Sequence, residues 1–358
     1  MGADKIKFYH DEPLFGLDIG HASLKAMQIN AGLTGQPTVT GYGTSSFDPA
    51  AIENGIITKP EVIANAMHEL FEKKMVGVIN SQRVACSLPT SRTFSRPMSI
   101  PAVERSEIIE AVHLEAEQYI PIPINNLYVD YDILHQDQQN SELLLVAASK
   151  TIVDSYFKVL EMLDLQPVAF EPSMNAVARL VHRQGELSSQ PTIIVDIGSV
   201  TTDIAVFDKS LLVASTVNIG SDNITKLLVQ NLHLTQEQAN EYKNKYGIAF
   251  SDKQQRMIDA IKPILENLVH EIQKSVRFYS ERAAKSGGKI SQIVTVGGGS
   301  IMPGLNQYLS KQLRLPAHNL EPWQGISFGS LPMPDEPDRS VYITAAGEAI
   351  INPAEVLA

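Results

Sequence analysis

The sequence has 358 residues and little that marks a secreted, membrane-embedded or nucleic-acid-binding protein. Its single cysteine, Cys86, cannot close an intrachain disulfide, which suits a reducing compartment. In "RVACSLPT" it reads as a small buried apolar residue. No stretch approaches the ~18 uninterrupted apolar residues of a membrane span. The first residues, "MGADKIKFYHDEP", lack the apolar core of a signal peptide, and Ile6 stands where myristoylation wants Ser or Thr. Basic charge is scarce: 29 Lys and Arg against 40 Asp and Glu, a net charge of −11, with no clustered basic patch. That argues against a nucleic-acid partner. The histidines are scattered singly and show no metal-ligand spacing. The P-loop ending in Gly-Lys-Ser/Thr and the Rossmann glycine spacing are both absent. The expectation is a soluble cytoplasmic protein with no direct membrane insertion.

What is present begins with an apolar run at Leu14–Ile19 that ends in Asp18-Ile19-Gly20. Gly20–Ser23 reads as a turn, and Leu24–Ile29 and Thr38–Phe47 as further strands, a meander of three. A helix follows, with Thr58 and Glu61 as a capping box and Gly77 as its stop. After Val84–Leu88 come two proline-punctuated segments, a helix from about Glu104 to Tyr119, and strands "LYVDYDIL" and "ELLLVAASK". Ile152–Leu165 reads as helix, "PVAFEP" as strand, Ser173–Arg183 as helix and "QGELSSQP" as linker. The meander then recurs at Thr192–Ile197, Thr202–Phe207 and Leu211–Val217, offset by 178 positions from Asp18 to Asp196. So long an offset suggests two duplicated halves rather than a solenoid. A helix capped by Thr235 and Gln238 ends at Gly247, and a longer one runs from about Asp259 to Ala284, with Pro263 at its first turn or a kink. "ISQIVTVGGGSIMPGLNQYL" closes the series as strand, glycine loop and helix.

Three strand ends therefore carry glycine: Gly20, Gly198 and the Gly297–Gly299 triplet. Glycine lets the backbone approach a ligand closely, and successive N–H groups in a turn make an anion-binding concavity. Ser23, Ser199, Thr201 and Thr202 add small hydroxyl donors. Each turn thus suits phosphate oxygens. The aspartates oppose this, since like charges at ~4 Å cost on the order of 4 kcal/mol at an effective dielectric near 20. A divalent cation reverses the sign. Mg²⁺ takes oxygen ligands and binds through one or two carboxylates plus phosphates. Asp18, Asp196 and Asp203 are read as its carboxylates, direct or through water, with Lys25 balancing phosphate charge. One Asp-x-Gly alone reads first as a plain hairpin turn; the ordered set carries the phosphate reading.

With that set, the chain resembles the actin-like ATPase superfamily. "LFGLDIGHASLKAMQI" and "TIIVDIGSVTTDIAVF" look like its two phosphate motifs, and "QIVTVGGGSIMPGLNQYL" like its adenosine motif. "FEPSMNAVARL" and "ITAAGEAI" look like the helices connecting its lobes. "EIIEAVHLEAEQYIPIPINNLYVDYDIL" resembles the inserted subdomain of the PilM family of type IV pilus assembly, an arrangement shared with the division protein FtsA. The chain stops at "AIINPAEVLA" without the amphipathic membrane helix usual in FtsA, which favours the PilM family.

The resemblance implies an α/β actin-like ATPase fold: two lobes, each a mixed sheet flanked by helices, plus a small inserted α+β subdomain. Lobe I would comprise 1–85, 149–190 and 336–358, the insert 86–148, lobe II 191–220 and 286–335, and a helical subdomain 221–285. It implies ATP or ADP with Mg²⁺ as ligands. Gly20, His21, Ser23 and Lys25 would hold phosphate from one lobe, and Gly198, Ser199, Thr201 and Thr202 from the other, with Asp18, Asp196 and Asp203 at the metal. Gly298, Gly299 and Met302 would lie by adenosine. Lys243 would reach the ribose and base, as would Asn240, where the family often has Glu. Glu171, in a Glu-Pro pair like that of the superfamily's chaperones, would orient the attacking water; a residue at a helix start near the dipole is an equal reading. Asp196 and Asp203 complete the catalytic carboxylates. His21, where Ser or Thr is usual, counts against efficient hydrolysis. The expected partner is the cytoplasmic N-terminal tail of PilN, an inner-membrane protein, in a groove between lobe I and the insert. Contacts with other pilus inner-membrane and motor proteins would hold the protein at the membrane's inner face. An FtsA-like division filament, a small-molecule kinase and homo-oligomerisation stay open.

Overall fold

The apolar run at Leu14–Ile19 becomes β1 (Phe15–Ile19), buried on both faces. Such a strand reads as continuous hydrophobicity rather than alternation. The computed structural model describes residues 13–30, 35–103, 107–249, 251, 254–282 and 288–351. The expected helix start at Glu104, the end of the long helix at Ala284 and both chain termini fall outside these residues. β2 (Ser23–Asn30) and β3 (Thr38–Ser46) extend the meander antiparallel to β1. Next come the hairpin of β4 (Ile52–Glu53) and β5 (Ile56–Ile57), then α1 (Pro60–Glu69), β6 (Met75–Gly77) and β7 (Arg83–Leu88). β8 (Thr93–Pro101), α2 (Ile108–Tyr119), β9 (Leu127–Gln136) and β10 (Asn140–Ser149) build a separate small unit. Its three-stranded sheet has the order β8-β10-β9, and α2 covers it through Ile108, Val112 and Ala116. The chain returns through α3 (Lys150–Met162), β11 (Gln166–Pro172), α4 (Ser173–Arg183) and the single turn α5 (Gly185–Ser188).

The second meander is β12 (Thr192–Ile197), β13 (Thr202–Asp208) and β14 (Ser210–Val217). Helices α6 (Ser221–Leu232), α7 (Gln236–Lys245) and α8 (Gln254–Arg282) follow. Then come β15 (Gln292–Val296), α9 (Leu305–Leu313), β16 (Ala317–Asn319), α10 (Glu336–Arg339) and α11 (Ile343–Ala349). The five-stranded sheet runs β14-β13-β12-β15-β16, and the larger one β6-β3-β2-β1-β7-β11. Setting aside β6, the two orders match strand for strand. The pairing senses match too: antiparallel, antiparallel, parallel, parallel. Duplication inferred from the repeated Asp-x-Gly is thus present in the topology.

Several local expectations change. Thr58 and Glu61 form no capping box: α1 starts at Pro60, with proline in its first turn, and Thr58 Oγ1 donates to Ala51 O instead. Gly77 does not stop the helix. The helix ends in a π-helical turn at Leu70–Lys74, and Gly77, at φ 78°, closes β6. The proline-punctuated stretch is strand β8, tolerated because it is an edge. The linker contains α5, and a further helix, α6, fills the stretch between β14 and Thr235. Pro263 lies inside α8 rather than at its first turn. The Thr235–Gln238 capping box forms as read.

The helices α4 and α11 lie between the two large sheets. Their Met174, Val177, Ala345 and Ala346 share one core with Met27 of the first sheet and Ile194 and Val294 of the second. At their crossing a Cβ on Gly347 would overlap the carbonyl oxygen of Ala176, so only glycine allows this approach. Arg179 of α4 clamps the crossing. It donates to both Glu171 oxygens, at 2.6 and 2.8 Å, and to Gly347 O at 2.9 Å. Beside it Glu348 is 0% exposed, and as an ionised group neither of its oxygens has a hydrogen-bond partner. Burial first, then the facing Glu171, push its pKa well above the usual carboxylate range, so the neutral acid can donate to Glu171.

A carboxyl with a raised folded pKa contributes full stability below its unfolded value of about 4.3, and that contribution is lost as pH rises towards the folded value. Glu348→Gln keeps the shape of the neutral acid. It is expected to melt several degrees above the parent near pH 8, with the gap closing as pH falls towards 4. Calorimetric melts across that range check this; equal midpoints near pH 8 would contradict it.

Candidate functional site

The two meander turns face one cleft of ≈ 540 Å³. Their closures are the same: Gly20 N donates to Ser23 O and Gly198 N to Thr201 O, both at 2.9 Å. The first turn is braced by Phe47 N on Ala22 O. The second is braced by the start of α6, where Ser221 N and Asp222 N donate to Gly198 O and Ser199 O. Both turns leave backbone and hydroxyl donors on the cleft wall, which Gly298, at the end of β15 beside β12, also lines. A Cβ on Gly298 would meet nothing, so that backbone faces open space.

The carboxylates at the two strand ends have different cross-strand partners. In the first sheet Asp18 is in register with Lys25, and Lys25 Nζ reaches Asp18 Oδ2 at 3.2 Å. Ser87 Oγ, from β7, donates to Asp18 Oδ1 at 3.1 Å. In the second sheet the equivalent pair is Asp196 and Asp203, two carboxylates side by side. Burial, then Asp203 and Asp18, raise the Asp196 pKa to about 7, with Lys25 pulling the other way. Burial raises Asp203 to about 6, against a hydrogen bond from Thr216 Oγ1. The missing side chain of Gly297 leaves room for the Asp196 carboxylate.

The structure brings together Asp18, Gly20, His21, Ser23, Lys25, Asp196, Gly198, Ser199, Thr201, Asp203 and Gly298 as cleft lining. It does not bring Glu171, Thr202, Asn240, Lys243, Gly299 or Met302 there. Glu171 is held by Arg179. Thr202 is buried, its hydroxyl donating to Ile219 O. Lys243 is buried, with Nζ donating to Ser221 Oγ at 2.7 Å and Thr225 Oγ1 at 2.8 Å; desolvation lowers its pKa. Asn240 accepts from the same Thr225 hydroxyl. Gly299 N donates to Ile197 O, and Met302 packs in the core of the second sheet. Sequence reasoning missed Ser87, Arg92, Asn54, Ser173, Thr344 and Tyr156, which also line the cleft. The Tyr156 hydroxyl is buried and without a hydrogen-bond partner. Only the parallel pairing of β7 with β1 puts Ser87 beside Asp18, and no local pattern signals that.

Among the described residues no group of three or more His, Cys, Asp and Glu forms a metal cage. The cross-strand pair of Asp196 and Asp203 instead fits a cation that keeps its waters and shares its charge with phosphate. Among the described residues no helix is long and apolar enough to cross a membrane.

The family profile of type IV pilus assembly protein PilM matches residues 16–352. Among solved structures, the chain is similar to the PilM-PilN type IV pilus biogenesis complex, with TM-score 0.81 and 23% identity over 95% of this chain and 98% of that one. It is also similar, at TM-score 0.54, to ethanolamine utilization protein EutJ from Carboxydothermus hydrogenoformans, with 13% identity over 94% of this chain and 88% of that one. MreB5 of Spiroplasma citri bound to AMPPNP has the same TM-score, with 12% identity over 96% and 97%. Cell division protein FtsA of Staphylococcus epidermidis is 22% identical over 262 residues, 66% of this chain. That match spans 55% of the FtsA chain, about half its length. The fold is that of the actin-like ATPases, and with the family match covering nearly its whole length, the chain belongs to the PilM family of type IV pilus assembly proteins.

Proposed function

We propose that this chain is a nucleotide-binding scaffold of the pilus machine, using ATP or ADP with Mg²⁺ to set the angle between two lobes. The observation that carries this is the pair of matched turns, one per sheet, facing one cleft. MreB5 of Spiroplasma citri, of the same fold, holds AMPPNP or ADP in solved structures. Phosphate oxygens would take the N–H groups of His21–Ser23 and Ser199–Thr201, since those of Gly20 and Gly198 close their own turns. Asp196 and Asp203 would hold the cation, which supplies charge neutralisation at the polyphosphate. The proposed lobes divide as 1–85 with 149–190 and 336–358, and 191–220 with 286–335. The inserted unit, proposed as 86–148, would begin after β7, which belongs to the larger sheet, and 221–285 would be a helical subdomain. Adenosine would meet Gly298 first; Gly299, Met302, Asn240 and Lys243 would stand behind the wall. Binding dominates hydrolysis in this reading. Glu171 is committed to Arg179, so water orientation is left to the Asp196–Asp203 pair. His21 occupies the exposed tip of the first turn.

The partner reading rests on β9, an outer strand of the small sheet, paired only with β10 among the described residues. An extended peptide adds to such an edge through main-chain hydrogen bonds, with side chains in flanking pockets. Tyr128 on β9 is exposed, as is Phe157 on α3, one helical turn beyond the Asp154 that Tyr128 reaches. Tyr128 is tied to α3 by its hydroxyl on Asp154 at 3.0 Å and by Lys150 over its ring. The proposed occupant is the cytoplasmic N-terminal tail of PilN, which would recruit the protein to the inner face of the membrane alongside motor components. Phe157→Ala is expected to weaken a PilN-tail peptide by about tenfold while leaving nucleotide affinity unchanged, as titration calorimetry would show. An unchanged peptide affinity would remove this groove.

Nucleotide binding carries a pH signature. With pKa values pushed up to about 7 and 6, Asp196 is partly protonated near neutrality and Asp203 mainly below pH 6, and a cation must displace those protons. MgATP affinity should therefore rise between about pH 6 and 8, and Asp196→Asn should both weaken it and flatten the dependence. Titration calorimetry in buffers of different ionisation enthalpy reads the protons released. A pH-independent affinity in the parent protein would overturn the assignment of this pair to the cation.

A further inference from the structure

Arg92 follows the first-sheet strand β7, and its side chain is fixed at the cleft by a dedicated turn. The β4–β5 hairpin turns through Asn54 and Gly55, at φ 52° and 83°. Asn54 Oδ1 accepts from Arg92 Nη2 at 3.2 Å. A Cβ on Gly55 would lie 2.7 Å from Arg92 Cγ, so the glycine makes the seat for the arginine stem. An exposed arginine held on both its stem and its head has lost little freedom by the time a ligand arrives.

Charge on the cleft wall needs such a group. Among its described lining residues the carboxylates are Asp18, Asp196 and Asp203, and the lysine and arginine are Lys25 and Arg92. Lys25 is committed to Asp18. Arg92 spends one N–H on a neutral amide, keeping donors free in a planar fork suited to an oxyanion.

Topology says which part of the ligand it meets. The strand orders of the two sheets make β7 the counterpart of β15. The Arg92 loop is therefore the first sheet's equivalent of the Gly297–Gly299 loop. Each loop lies beside the turn of its own sheet, one after β7 next to β1 and one after β15 next to β12, and both line the cleft. A nucleotide with its base on the glycine-loop side points its polyphosphate end towards Arg92.

We infer that Arg92, seated by Asn54 and Gly55, is the residue that grips the terminal phosphoryl group and lets the cleft distinguish a nucleoside triphosphate from a diphosphate. This rests on the nucleotide reading above. Binding of MgATP and MgADP to the full chain, by titration calorimetry, tests it with Arg92→Ala and Asn54→Ala. Arg92→Ala should weaken MgATP by about ten- to a hundredfold, the worth of a charge-assisted hydrogen-bond pair, and change MgADP less than about twofold. Asn54→Ala, which keeps the charge but loosens its seat, should produce a smaller loss on MgATP alone. Equal losses on both nucleotides, or none, with a parent-like melting profile, overturn the role of Arg92 and leave the nucleotide reading standing. A parent protein that binds neither nucleotide overturns both.

Discussion

Two carboxylates, Asp196 and Asp203, face each other across adjacent strands at the rim of the cleft. The duplicated first sheet avoids this conflict, because the residue opposite Asp18 is Lys25. One half of the molecule is thus neutralised from within and the other is short of positive charge. The deficit is maintained by structure. Gly297 leaves space for Asp196, and a Thr216 hydroxyl holds Asp203. In the proposed reading, a cation on this pair would carry a polyphosphate that also reaches the turn of the first sheet. That asymmetry links the charge on the ligand to the relation between the sheets.

The relation itself is set where α4 crosses α11. Gly347 brings the two backbones into contact, and Arg179 ties Glu171 to the Gly347 carbonyl. The same clamp removes Glu171 from the chemistry its sequence context suggests. A carboxylate bound bidentately by a guanidinium, with a second carboxyl at Glu348 behind it, is a structural brace. Freeing it towards a water would break both of its hydrogen bonds from Arg179. A change in the angle between the sheets has to pass through this junction. The nucleotide can shift that angle only by as much as it binds one arrangement more tightly than the other.

Both meanders, their shared order and the cleft-facing turns were legible because each rests on local signals: an apolar run, a glycine, an alternating strand. The paired Asp-x-Gly elements located Asp18, Asp196 and the two turns on the cleft wall. Residues that failed to reach the cleft did so for non-local reasons. Lys243 points into a cage of Ser221 and Thr225, and α6, which supplies that cage, carries no strong cap signal beyond Gly220 and Asn223. Ser87 and Arg92 enter from a strand whose place beside β1 depends on parallel pairing across dozens of residues. Thr58 offered a capping box that Pro60 pre-empted, since proline at the first helical position sets the start by itself.

One helix touches both proposed sites. Tyr156 of α3 lines the nucleotide cleft, and its neighbours Asp154 and Phe157 sit at the β9 edge proposed for the peptide. The Tyr156 ring is enclosed in the core with Leu17, Cys86 and Val159, so that part of α3 cannot shift without disturbing the packing under the phosphate turn. The small sheet joins the larger body at two nearby places, the β7–β8 junction that carries Arg92 and the β10–α3 junction that leads to Tyr156. A ligand drawing on Arg92 and a peptide drawing on Phe157 therefore pull on the two sides of the same joint. If the cleft has two arrangements, this joint is where each ligand gains a differential contact, and the coupling between them must be reciprocal.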